Sequence, residues 1–201
     1  MSRRVPDREE LLKGCQLYEQ HEQRDAMYKV ATFLLKNFWG NYTEMTNGLG
    51  VLLLTWNNAF YRFSPFSFDD LENCISKNFR SLDSFRQRNI LSFMDDDKQI
   101  IKNLFMDFLK ALQDRNGRQT PVGVAKALHL LGPEFFPLWD NKIAKGYGCN
   151  YTKNPGDKYL IFCEKIKSEA GVLSTYENLP EKPIIKILDE YNYSRYTNGW
   201  I

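Results

Sequence analysis

The strongest constraint on the fold is the spacing of apolar residues, which recur at three- and four-residue intervals along most of the chain. From Ala26 to Phe38 the residues Met27, Val30, Ala31, Leu34, Leu35 and Phe38 fall on one helical face. From Asp95 to Leu112, three aspartates precede a broad stripe of Ile100, Ile101, Leu104, Phe105, Phe108 and Leu109. The stretch from Leu49 to Phe60 is apolar nearly all round, which predicts a central buried helix. Asp7 to Gln20, Ser67 to Asn78, Asp157 to Ala170 and Pro183 to Tyr191 also read as helices. No β-branched run alternates with period two, and no repeat appears. The expectation is an all-α helical bundle with loops at Gly40–Gly48, Asp114–Gln119, Gly148–Gly156 and Gly171–Lys182. At 201 residues the chain fits a single mainly helical domain, or two lobes at about 40–112 and at 1–39 with 113–201.

Composition removes several classes. Hydrophobic residues make up 43% and aromatics 14%, too many for a disordered chain. The longest apolar run, Leu49 to Leu54, is too short to span a bilayer. Met1 to Glu10 carries charges of both signs and no apolar core, so it does not read as a signal peptide, and a cytoplasmic location is expected. Cys15, Cys74, Cys149 and Cys163 form no C-x-x-C pair, and His21 and His129 are the two histidines. Neither a zinc site nor an iron–sulfur cluster is therefore expected, and no cofactor. Net charge is only +2, but eight lysines and arginines face four acids between Lys98 and Lys145. That local excess suits either a phosphate contact or an ordinary solvated face.

The segment TPVGVAKALHLLGPEFFPLWDNKIAKGYG, from Thr120 to Gly148, holds the most chemistry. Thr120 is a good N-cap and Pro121 suits the first helical position. Val124, Ala125, Leu128 and Leu131 give a buried face, and Gly132-Pro133 ends the helix. Pro137 keeps the approach to Asp140 extended, and Asp140 can cap the short helix that follows. The free N–H groups of the Thr120 helix, beside Arg115 and Arg118, form a ready phosphate site. Asp140 follows Trp139 and Leu138, which reduces its access to water. By spacing alone it is either a cap or a carboxylate set into a pocket.

This unit resembles the helix–hairpin–helix and following catalytic aspartate of the base-excision DNA glycosylase superfamily. Gly123 stands for the hairpin glycine, Lys126 for the lysine that some members carry, and Phe136-Pro137-Leu138-Trp139-Asp140 for the aspartate turn. Either Ala125 stands where the usual hairpin has its second glycine or the register shifts by one, and the Lys126–Asp140 interval is shorter than usual. Upstream, Trp56, Asn57, Asn58 and Arg62 resemble the helix end that fills the gap left by an extruded base. The two matches cover about a quarter of the chain.

The resemblance implies a helix–hairpin–helix glycosylase-like bundle with a cleft between two helical lobes, acting as a monomer on duplex DNA with an extruded base. Its activity would be excision of a damaged or modified base, a bulky modified phage base among the options, in repair or defence. Asp140 is then the leading catalytic residue, stabilising positive charge on the sugar, with Lys126 as a nucleophile that permits strand nicking. Asn57, Asn58, Arg62, Arg115, Arg118, Thr120 and Gly123 become DNA contacts, and Trp56, His129, Trp139 and Tyr147 the base pocket. His129, inside an apolar helix, reads equally as a hydrogen-bonded core residue. The DEYNYSRYTNGW segment either closes over the pocket or anchors the C-terminus. The competing expectations are a non-catalytic nucleic-acid-binding domain and a helical protein-interaction module.

Overall fold

The computed structural model describes residues 4–22 and 26–201, and among them there are α-helices and no β-strand. In chain order the helices are α1 (Arg8–His21), α2 (Ala26–Asn37), α3 (Tyr42–Trp56), α4 (Asn58–Tyr61), α5 (Phe68–Arg86), α6 (Asp97–Ala111), α7 (Pro121–Leu131), α8 (Asn141–Gly146), α9 (Pro155–Leu173) and α10 (Ile184–Asn192). A 3-10 turn at Ile90–Ser92 precedes α6, and a π turn at Tyr193–Thr197 follows α10. Among the described residues no helix is long and apolar enough to cross a membrane.

Helix starts follow side-chain capping chemistry. Asp7, Asn41, Ser67, Thr120 and Asp140 each accept a hydrogen bond from the backbone N–H three residues on, which satisfies a donor the helix leaves free. Two elements differ from the sequence expectation. The helix expected from Leu49 begins at Tyr42, so most of the expected Gly40–Gly48 loop is helical. Gly48 and Gly50 are not breakers but contact points. A Cβ on Gly48 would sit 3.2 Å from Leu34 Cβ, and one on Gly50 would sit 2.8 Å from Phe68 Cε1. The same helix also ends sooner: the ladder breaks at Asn57, and a separate turn, α4, carries on to Tyr61. The α5 helix runs past Asn78 to Arg86, because Leu82 and Phe85 extend its buried face.

Packing places α2 along α3, α1 against α10, α6 against α9 and α3 against α5. The chain on either side of residue 40 therefore shares one interface. A single cluster of buried residues runs from Leu11 to Tyr191. Trp139 sits inside it, its ring edge-on to Phe105 and Tyr159 and tilted against Phe162. Four free cysteines, Cys15, Cys74, Cys149 and Cys163, are buried in the same interior. Burial pushes the Cys15 and Cys74 thiols up to about 12, so they stay protonated near neutrality.

Candidate active site

Helix α7 and the turn after it are fastened together at two points. His129 Nδ1 lies 2.9 Å from the Phe136 carbonyl, which requires Nδ1 to be the donor. Its Nε2 is then the acceptor for the Tyr28 hydroxyl at 3.0 Å. Complete burial holds the imidazole pKa below its ordinary value, which favours the neutral ring that this tautomer needs. The second fastening is Trp139 Nε1, which donates to the Pro121 carbonyl at 3.1 Å. Between them, Gly132 lets the Phe136 ring approach to 3.0 Å of where a Cβ would stand. The short return from Leu131 to Asp140 is thus folded back over α7.

That return delivers Asp140 to the start of α8. Asp140 Oδ1 accepts from the Ile143 N–H at 2.7 Å, and Oδ2 accepts from Thr197 Oγ1 at 2.5 Å. The carboxylate is both a helix cap and a partner of the C-terminal π turn. One turn into α7, Lys126 points its amine at the end of α3. Its Nζ donates to Asn57 Oδ1 at 2.5 Å and to the Trp56 carbonyl at 3.1 Å, and lies 5.6 Å from the Trp56 ring centre. Burial lowers the Lys126 pKa from 10.5 to about 8, and the negative charge of Asp140 offsets only part of that effect.

Lys126 and Asp140 open into one cavity of about 410 Å³. Its walls also include Trp56, Leu138, Trp139 and Ile143, together with Tyr18, Glu22, Asp189 and Tyr193. Trp56 is itself stacked on Tyr28, with centroids 5.8 Å apart and planes at 9°. Of the four residues expected in a base pocket, Trp56 and Trp139 line this cavity. His129 and Tyr147 do not: His129 is locked between Tyr28 and Phe136, and the buried Tyr147 hydroxyl donates to Glu169 Oε2 at 2.8 Å. Tyr18 and Glu22 carried no recognisable signal in the sequence, because α1 reaches the cavity through its packing on α10 and on the π turn after it. Asp189 and Tyr193 lie in the aromatic C-terminal segment, so that segment both anchors the chain end and walls the cavity. Among the described residues, no three His, Cys, Asp or Glu side chains gather as a metal site would need.

The residues expected to meet DNA fall into two groups. Asn57, Thr120 and Gly123 are buried and bonded to one another: Asn57 Nδ2 donates to Thr120 Oγ1 at 3.4 Å, and Thr120 Oγ1 accepts from the Gly123 N–H at 3.1 Å. Their joint effect is to hold the Lys126 amine. Asn58, Arg62, Arg115 and Arg118 are exposed. Arg118 pairs with the buried Asp114 at 2.6 Å, and its guanidinium lies 5.3 Å from the Phe60 ring. Phe63, a single aromatic without a helical pattern to mark it, is 87% exposed and has the Arg62 guanidinium 4.9 Å from its ring. No family model, curated protein or solved structure matches this chain.

Proposed function

We propose that the protein is a DNA N-glycosylase that takes an extruded base into the cavity and breaks its bond to the sugar. A single observation carries this reading. An amine lowered to about 8 and a carboxylate share a cavity walled by two tryptophans. A nucleophilic lysine needs its free-base form, and an oxocarbenium-like sugar needs a fixed negative charge beside it. The Lys126 lone pair attacks C1′ of the sugar while the C1′–N bond breaks and its electrons leave with the base, which takes up a proton. The amine-bound sugar then loses an N–H proton and opens to a Schiff base, which borohydride reduces to a stable adduct. Asp140 faces the developing positive charge, and the aromatic walls hold the departing ring.

Outside the cavity, exposed Phe63 with Arg62, and Arg115 and Arg118 beyond, supply a stacking surface and cations for the nucleic-acid backbone. A second reading, a base-binding module without cleavage, draws support from the engagement of both Asp140 oxygens by Ile143 and Thr197. Asp140→Asn separates the two. Asparagine caps a helix about as well as aspartate, so the fold survives. Mass spectrometry of bases released from a panel of modified DNAs should then show release by the native chain and loss of at least 100-fold in Asp140→Asn, with DNA binding kept. Borohydride trapping on abasic DNA should give an adduct that Lys126→Met removes. DNA binding without release or trapping by the native protein overturns the enzyme reading in favour of the binding module.

A further inference from the structure

The cavity is unevenly equipped for hydrogen bonding. Its wall carries one amine, Lys126, already committed to Asn57 and Trp56, and three carboxylates, Asp140, Glu22 and Asp189. No arginine, asparagine or glutamine is among its described lining residues. Asp140 is engaged through both oxygens, and Glu22, exposed at residue 22, accepts from the Tyr193 hydroxyl at 3.1 Å. Asp189 differs from both. Its side chain is only 11% exposed, and its hydrogen-bond partner among the described residues is Lys186, 3.5 Å from Oδ2.

Lys186 is the charge that pairs with this carboxylate. Its ammonium lies 4.8 Å from the Tyr18 ring centre and 5.5 Å from that of Tyr28, and 3.9 Å from Glu190. Burial works against the Lys186 charge, but the neighbouring Asp189, tyrosines and Glu190 outweigh it and hold the amine protonated. Asp189 is therefore a fixed acceptor on the cavity wall, flanked by Tyr18 and Tyr193. A carboxylate offers acceptors only, and a buried one facing a lone pair goes unsatisfied. The pocket discriminates best between rings that present N–H there and rings that do not.

We propose that Asp189 is the specificity-determining residue of the cavity, selecting a flat heteroaromatic ring that presents an exocyclic amino group to it. Its role in catalysis rests on the reading of the cavity as a base site, but its preference is measurable without DNA. Isothermal titration calorimetry of the full chain with two ligand pairs tests it: purine against adenine, and deoxyinosine against deoxyguanosine. Each pair differs by one amino group. A charge-assisted hydrogen bond predicts a preference of about tenfold or more for the amino-bearing member of at least one pair. In Asp189→Asn the members should bind within about threefold of each other, whereas Glu22→Gln should keep the native preference. Trapping of the native chain on abasic DNA, which lacks the base, is measured in parallel. Equal binding within both pairs by the native chain, binding of none of the four ligands, or a preference retained in Asp189→Asn overturns the assignment. If trapping persists in those cases, the glycosylase reading stands without it. If the preference is found but neither trapping nor release occurs, the glycosylase reading falls and the base-recognition role of Asp189 stands.

Discussion

Replacing Lys126 by methionine turns the buried amine into a stability measurement. The cavity and the end of α3 lower the amine from 10.5 to about 8, a preference for the neutral form worth about 3 kcal/mol. The sign follows from proton binding. Below pH 8 both folded and unfolded chains carry the ammonium, and the folded chain bears its full burial cost. Between pH 8 and 10.5 the unfolded chain binds more protons than the folded one, so stability rises with pH; above 10.5 the cost is gone. Methionine has similar length and does not titrate. The native chain should therefore gain about 1 kcal/mol on the variant between pH 7 and pH 9, because other groups titrate alike in both and cancel in the difference. Urea unfolding of both proteins at the two pH values measures this, with the linear slope checked for equality. A native-minus-variant difference that stays constant from pH 7 to pH 9 would mean that the amine titrates near its ordinary value. The nucleophile assigned to Lys126 would then be almost wholly protonated at neutral pH, and the physical basis for its role would be lost.

Two further perturbations probe the surroundings of the site. Phe63→Ala should weaken binding to single-stranded or base-extruded DNA about tenfold, the scale of one lost stacking contact, in a fluorescence anisotropy titration. Its urea midpoint should not move, because the ring is 87% exposed. Gly146→Ala should destabilise the fold by about 1–3 kcal/mol in urea melts, the usual cost of overpacking. Its added Cβ would lie 2.5 Å from the Tyr196 ring, and the displaced π turn would carry Thr197 away from Asp140, lowering base release as well.

Much of the local structure is legible from residue order. Thr120, Asp140 and Ser67 cap helices where their side-chain chemistry says they should, since capping is decided within four residues. The Gly132-Pro133 stop and the extended approach through Pro137 are equally local. Gly48 misled because a missing Cβ reads as a break in sequence but serves as a contact in three dimensions; Leu34, which requires it, comes from another helix. The candidate site divides along the same line. Asp140 and Lys126 stand out as residues, but Asn57 reads as a DNA contact, and the structure makes it the buried acceptor for the Lys126 amine.

The sequence by itself determined an all-helical chain, the capped starts at Ser67, Thr120 and Asp140, and a lysine and an aspartate fourteen positions apart with a folded-back turn between them. Periodicity and capping act over a few residues, so they survive reading one residue after another. Only the tertiary structure decided that those two side chains share a cavity and that Tyr18, Glu22 and Asp189 from the region of α1 and α10 line it too. It also decided that the Lys126 amine is buried deeply enough to titrate near 8. Desolvation and cavity shape are sums over atoms from distant parts of the chain, and no local pattern encodes those sums.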